Sequence, residues 1–336
     1  MKNRLIALLL FAIIAGCSGE KDNNQNSAEL KEIDLKGKSV TVDYKFSKGD
    51  NIKYKLTTIT AANETIQADS LIESKSNENT IYQFDINVIE VEPDNTAELG
   101  ITISSLKIDA DINGQKFVYD ANAENDREQN QKFIQYYAIH NVPYRARVSN
   151  KGEVLEVSRL DKMVDKMNSL QPDNQKLTTE QKVQISKSIG DAIIRPLTQL
   201  IFRELPDKQL ALDSTWVKSY PSQLSVFNIS NNVTYKVDGF VEYDGNRAVN
   251  VSADLNTTWS GNKSGEENGI KYSFEDPKIE GEGKILFDID RGLLIKSETG
   301  TTVELKANLE MLNSMQQKIK TVRKDITTNK NIIELL

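Results

Sequence analysis

The chain has 336 residues, with 42 basic against 49 acidic side chains and a formal net charge of −7. Its hydrophobic fraction is 38 % and its charged fraction 27 %, an ordinary soluble composition that suits one large domain or two of moderate size. Only one long apolar run is present, which excludes a polytopic membrane protein. The acidic balance argues against a general nucleic-acid binder, because neutralising phosphates needs a basic face.

The chain opens MKNRLIALLLFAIIAG. Lys2 and Arg4 form a positive start, and Leu5 to Ile14 is an apolar run too short to span a bilayer as a helix. The pattern predicts an export signal over 1–16. Cys17, the only cysteine, follows at once, and Ile14-Ala15-Gly16-Cys17 resembles the lipobox of bacterial lipoproteins. The expected lipidation site is therefore Cys17. With Ser18 next, resemblance to Gram-negative sorting rules implies the outer membrane. Residues 17–38 are polar and aperiodic and read as a flexible tether.

The rest of the chain reads mostly as antiparallel strands. Apolar residues alternate at Ile52, Tyr54 and Leu56, through Ile81 to Val91, at Leu99, Ile101 and Ile103, and at Phe117 and Tyr119. Turn signals separate these runs; Asn113-Gly114 is the most specific, since both residues tolerate positive φ. A helix is expected near 126–140. Leu160, Met163, Val164, Met167 and Leu170 follow helical spacing, and Pro172 stops that helix. Thr178 with Gln181 forms a capping box ahead of a helix carrying Ile185, Ile189, Ile193, Leu197 and Ile201. Pro196 should kink it, and Leu205-Pro206 ends it. The tail from Thr301 fits helix or strand; its β-branched residues favour a final hairpin.

Three matches recur in order along the two halves. Tyr82–Val88 resembles Tyr235–Val241, Lys116–Asp120 resembles Lys271–Glu275, and Val148–Val157 resembles Phe287–Lys296. The expected fold class is mainly β (β+α): two similar antiparallel β meanders, an internal duplication, joined by a helical segment. The meanders would occupy 39–158 and 206–336, with a helical connector over 159–205. Gly152 and Gly292 would hold equivalent hairpin positions at positive φ.

Lys48-Gly49-Asp50, the hairpin Val148–Val157 and the stretch Leu205–Trp216 resemble the pattern of a family of uncharacterised bacterial lipoproteins, a domain of unknown function. Leu212 stands where that pattern commonly has glycine. The resemblance implies a fold and an envelope location, and no catalytic residues come with it.

Chemistry-bearing residues are sparse. His140 is the only histidine, which leaves no His/Cys zinc set and no Gly-x-Ser-x-Gly elbow to pair with it. It reads as a capping or surface residue. Gly281-Glu-Gly283 reads as a bulge or edge feature, and Asp288-Ile-Asp290-Arg291-Gly292 as a plain hairpin turn rather than a calcium loop. Asp109 with Asp111, and Glu90 with Glu92, are same-face carboxylates typical of a solvated sheet. Tyr136, Tyr137 and Tyr144 suit a helix docked on a sheet, and Arg145 and Arg147 suit cross-strand ion pairs.

No catalytic, cofactor-binding or metal-binding residue is expected, and no cofactor. The leading reading is a non-enzymatic lipoprotein of the bacterial cell envelope, anchored to the outer membrane on its periplasmic side. It would bind a hydrophobic small molecule or assist assembly with an envelope protein, with the membrane as a partner through the lipid and no nucleic acid. The branched residues of the helix from Thr179 to Leu205 suit either a dry packed core, the ordinary outcome for a protein interior, or the wall of an apolar groove, in which case the helix would be a lid hinged at Pro196. A hydrolase acting on an envelope polymer and a purely structural lipoprotein are the alternatives.

Overall fold

The computed structural model describes residues 30–35, 37–172, 176–267, 269–312 and 318–336. Residues 1–16, expected to be an export signal, and Cys17 lie outside the described residues. The first half contains β1 (Lys31–Glu32), β2 (Asn51–Gln67), β3 (Leu71–Val91), β4 (Ala97–Ile112), β5 (Gln115–Asp120), α1 (Arg127–Lys132), α2 (Ile134–Ile139), β6 (Tyr144–Val148) and β7 (Val154–Ser158). The connector holds α3 (Asp161–Ser169), α4 (Thr179–Ile189), a π-helical turn (Gly190–Ile194) and α5 (Arg195–Ile201). The second half contains β8 (Thr215–Leu224), β9 (Phe227–Tyr243), β10 (Asn246–Ser260), β11 (Ser264–Glu267), β12 (Ile270–Phe274), β13 (Lys278–Asp288), β14 (Leu293–Leu312) and β15 (Lys318–Leu335). The fold is mainly β, as expected, and the tail is a hairpin.

Both halves run as antiparallel meanders with the same neighbour order, β2-β3-β4-β6-β7 and β8-β9-β10-β13-β14. They are not separate sheets. β15 pairs with β2 over Leu335↔Tyr54 to Val322↔Gln67 and fuses them into one 15-stranded sheet. Each half closes on a bulged glycine hairpin. The ladder skips Leu155 at the Arg147/Val148 shift and Ile295 at the Leu286/Phe287 shift. Gly152 and Gly292 have φ of 83° and 67°. The middle sequence match does not carry over: β5 returns on β4, whereas β12 pairs with β11 and β14.

Local chemistry explains the element ends. Asn113 and Gly114, at φ 54° and 83°, make the tight turn that joins β4 to β5. The Thr178 hydroxyl accepts from the Gln181 N–H while the Gln181 side chain accepts from the Thr178 N–H, the capping box of α4. Helix 126–140 is two helices broken at Phe133, with Asp126 capping the first. The π-helical turn sits directly before Pro196, whose ring cannot donate back into the preceding turn. Among the described residues no helix is long and apolar enough to cross a membrane.

The sheet curls around the end of the connector. Within residues 203–205, Arg203 touches Ser297 and Thr299 on β14, Leu205 N–H donates to Lys151 O in the β6–β7 hairpin, and Glu204 pairs with Lys218 on β8. β7 and β8 lie at opposite ends of the strand order, so only a strongly curved sheet brings both to one tripeptide. The main core fills the concavity around the connector, with Tyr54, Leu56, Phe84, Leu106, Phe202, Phe287 and Leu294 essentially inaccessible. Burying such a side chain stabilises by about 1.5–3 kcal/mol.

One expectation needs correction. The tether expected over 17–38 does not extend over 31–35, because Lys31 and Glu32 pair with β9, Ile33 N–H donates to Phe240 O, and Ile33 and Leu35 pack on the core. Of the two readings of the connector helix, the packed core is the one observed rather than a lid over a groove. Ile189, Ile194, Leu197 and Ile201 are members of the packed core, while Val183 on α4 is 66 % exposed. The convex face of the sheet meets water: Lys330–Glu298, Lys324–Glu304, Lys55–Glu334 and Lys53–Asp85 ion pairs cross it at 2.8–3.1 Å. A lipid-facing barrel exterior is apolar instead.

Candidate functional site

Side chains alternate across a strand, so the concave face can be read row by row from the register. The row next to the core is Val237, Val251, Ile285, Ser297, Ile333, Leu56, Tyr82 and Leu106. It is apolar except for Ser297. The next row passes through Gly283, Thr299, Asn331, Thr58 and Thr80, and the one beyond through Gly281, Thr301, Asn329, Thr60 and Glu78. These two rows form a polar belt inside the curved sheet. Beyond it on the second half, Ile279, Val303, Phe227 and Ile229 make a separate apolar cluster. On the first half, Thr327, Ala62, Asp325 and Glu64 are only half-buried. Arg323 there pairs with Glu64 at 3.1 Å and Asp325 at 2.9 Å. The concave face therefore opens to water along β15 and β2 and stays apolar opposite.

Arg203 stands where this trough meets the core. Phe202 ends α5 in extended geometry, and the Arg203 N–H donates to the Tyr44 hydroxyl at 2.8 Å. Its Nε donates to Ser297 Oγ at 3.0 Å and Nη2 to Thr299 Oγ1 at 3.3 Å. Arg203 is 5 % exposed, and no carboxylate pairs with it among the described residues. Burial pushes its pKa down from the usual value, yet arginine starts so high that it stays charged. The titratable groups that act on it electrostatically are Tyr235, Tyr44 and Tyr220. Burial holds all three phenols above their ordinary range, so they are neutral and supply no counter-charge.

A buried charge held only by neutral hydroxyls is costly. Thr301 Oγ1 and Asn331 Oδ1, in the same belt, are buried without a hydrogen-bond partner. Native interiors pair nearly all such groups. One cation, hydroxyls and side-chain amides can together hold an anion or a hydroxylated head group. Gly281 and Gly283 lie in this belt on a central strand between β10 and β14, not at an edge.

The residues singled out from sequence lie elsewhere. His140 caps α2 and is 6 % exposed, with Nε2 unpartnered. Burial, then the nearby Lys166 ammonium, lowers its pKa. Tyr136 donates to Glu78 at 3.5 Å, Tyr137 lies under the Lys166 ammonium at 4.3 Å, and the Tyr144 and Thr198 hydroxyls meet at 2.8 Å. The first and third contacts dock helices on the sheet, and the second joins α2 to α3. Arg147 grips Glu92 in a bidentate pair at 2.7 and 2.9 Å, and Arg145 reaches Glu98 at 3.5 Å. Asp111 accepts from the Gly114 N–H, Asp109 and Glu90 are exposed, and Asp288 and Asp290 secure their hairpin and Arg247. Among the described residues no three His, Cys, Asp or Glu side chains cluster as a metal site.

Sequence reasoning missed Arg203. Its signal is a cation directly after Phe202 at the end of an apolar helix, together with Thr and Asn at alternate positions of β2, β14 and β15. Other concavities occur among the described residues. One of about 650 Å³ lies between α3 and α4, lined by Leu160, Val164, Val183 and Arg195. Another of about 670 Å³ lies near Ile89, Arg145 and Lys162. Both have mixed charge.

Among solved structures, a lipovitellin structure titled for lipid–protein interactions is 10 % identical at a TM-score of 0.39, covering 87 % of this chain and 25 % of that one. This chain thus spans about a quarter of the lipovitellin chain. OccK2 (OpdF) of Pseudomonas aeruginosa, in complex with glucuronate, is 8 % identical at 0.20, covering 82 % and 97 %. The COG4313 outer membrane channel of Pseudomonas putida F1 is 7 % identical at 0.16, covering 87 % and 97 %. No curated protein matches. The model of a family of unknown function, DUF6263, matches residues 94–294, more than half of the chain, and the chain belongs to that family.

Proposed function

We propose that this chain is a lipid-anchored protein of the bacterial envelope that binds an amphiphile, without catalysis, in the trough of its curved sheet. The observation that carries this reading is the layering of one concave face. A closed apolar core gives way to a buried polar belt, and the belt to a second apolar cluster at Ile279, Val303, Phe227 and Ile229. A solid scaffold has no use for buried polar rows between two apolar layers, since each unpaired group there costs about 1–3 kcal/mol. An amphiphile matches the sequence of surfaces, its head at the belt and its chain along the apolar cluster. The lipid anchor at Cys17 would hold the trough near a membrane that supplies such molecules.

The test is photo-crosslinking on the full lipidated chain in nanodiscs, using a fatty acid with a diazirine in its chain. Crosslinks in peptides spanning 274–281 and 297–305, displaced by excess unlabelled oleate, support the reading. Crosslinks confined to the N-terminal anchor, or none, overturn it.

A further inference from the structure

We infer that the trough selects an anionic head group, a carboxylate or phosphate monoester on a single-chain amphiphile, and that Arg203 reads its charge. This rests on the binding reading above and adds the class of ligand. Arg203 is a buried cation whose hydrogen-bonding partners are neutral: Ser297 Oγ and Thr299 Oγ1 on its guanidinium. The side-chain hydrogen bonds of its guanidinium run from Nε and Nη2, and five donors in a fixed fork match a carboxylate or phosphate. Beside it in register, Thr299 faces Asn331 across the strands, and Thr301 follows two positions along the same face. Thr301 Oγ1 and Asn331 Oδ1 are both buried and unpartnered. The Thr301 hydroxyl can donate to an anionic oxygen, and so can the Asn331 amide, whose O and N assignment is set by its neighbours.

The charge balance of the trough supports the same assignment. At its open end the Arg323 cation is already matched by Glu64 and Asp325. Glu204, next in sequence to Arg203, is committed to Lys218 at 3.3 Å. Arg203 is thus the cation of the concave face without a carboxylate of its own among the described residues. An incoming anion would meet its charge deep in the belt, where water competes least.

The experiment compares two diazirine probes of one chain length, a fatty acid and the corresponding fatty alcohol, on the full lipidated chain in nanodiscs. A charge-assisted hydrogen bond of about 1.5–3 kcal/mol corresponds to roughly ten-fold or more in affinity. Wild type should therefore label with the acid at least about ten-fold more than with the alcohol in peptides 297–305. Arg203→Gln should fall to the alcohol level, and Arg203→Lys should keep a preference for the acid. Unlabelled alkyl phosphate should compete as the unlabelled acid does, and inorganic phosphate should not.

Equal labelling of the wild type by acid and alcohol overturns the inference, whether or not Arg203→Gln folds, and leaves amphiphile binding standing. Loss of the preference in both variants also overturns it, because charge would then not be what is read. Competition by inorganic phosphate alone overturns the amphiphile as ligand. Absence of labelling by either probe defeats the binding reading itself.

Discussion

Gly152 and Gly292 press on consecutive residues of one extended segment. A Cβ on Gly152 would stand 2.6 Å from the Tyr44 ring, and one on Gly292 would stand 2.5 Å from the Lys45 nitrogen. Tyr44 N–H donates to Asn150 O and Lys45 N–H to Gly292 O, at 2.8 and 3.2 Å. Lys151 Nζ pairs with Asp43 at 2.7 Å, and Lys45 Nζ donates to Ile289 O at 2.9 Å. The stretch 43–45 therefore straps together the closing hairpins of the two meanders, and each hairpin needs a residue without a side chain at the contact.

Replacing either glycine by alanine should destabilise through two terms. Positive φ costs an L-residue about 1–2 kcal/mol, and overpacking against backbone adds about 1–3 kcal/mol. Gly114, at φ 83° with open space around its Cβ position, carries only the first term. Urea denaturation should rank Gly152→Ala and Gly292→Ala well above Gly114→Ala in lost stability. Equal losses at all three positions would show that the strap is loose.

The parts of this fold legible in the sequence are those set by local chemistry. The Thr178/Gln181 box, the Asn113-Gly114 turn, the period of α3 and the glycine hairpins each depend on a few neighbouring residues. The fusion of β15 to β2 was not legible, because any two strands of alternating pattern can pair and only closure around the core selects this pair. The middle repeat misled for a related reason: Lys116–Asp120 and Lys271–Glu275 have similar alternation but different partners. The polar belt was hidden because Thr and Asn at alternate positions read as a solvated face until curvature turned that face inward. Arg203 was hidden by Leu205-Pro206, which draws attention as a helix stop and away from the charge before it.

His140 should make stability fall in mild acid. Burial, then the Lys166 ammonium, holds its folded pKa below the ordinary 6.5, while a Ser104 backbone hydrogen bond and Asp120 oppose this more weakly. The unfolded chain therefore takes up this proton first as pH falls. Stability from the neutral imidazole is complete above about pH 6.5 and is lost progressively below it, down to the folded pKa. An NMR titration of the single histidine should give a midpoint below 6.5. Urea stability between pH 7 and 5.5 should fall less steeply in His140→Gln. A midpoint at or above 6.5 would show that the ring is solvated.

Cys17 should carry the anchor. The short apolar run and the small residues before it suit a lipoprotein peptidase, and no other cysteine exists to be labelled. Cells fed an alkyne-tagged palmitate analogue should tag the wild-type chain and leave Cys17→Ser untagged, with that variant released from membranes. Equal tagging of both would remove the anchor from the functional proposal.

Tyr144 and Thr198 tie β6 to α5 through hydroxyls 2.8 Å apart in the core. Thr198 Oγ1 also donates to Ile194 O at 2.7 Å, so its single proton is committed and Tyr144 must be the donor of the pair. That direction makes the two truncations unequal. Tyr144→Phe removes the donor and leaves Thr198 with a spare lone pair, at a cost of about 1 kcal/mol. Thr198→Val removes the acceptor and strands a phenol hydroxyl that is essentially inaccessible, at a cost of about 1–3 kcal/mol. The double variant leaves no orphan, so its loss should be smaller than the sum of the single losses. Urea denaturation of the three variants measures this cycle. A larger loss for Tyr144→Phe than for Thr198→Val would reverse the donor assignment, and strict additivity would mean that the hydroxyls do not interact.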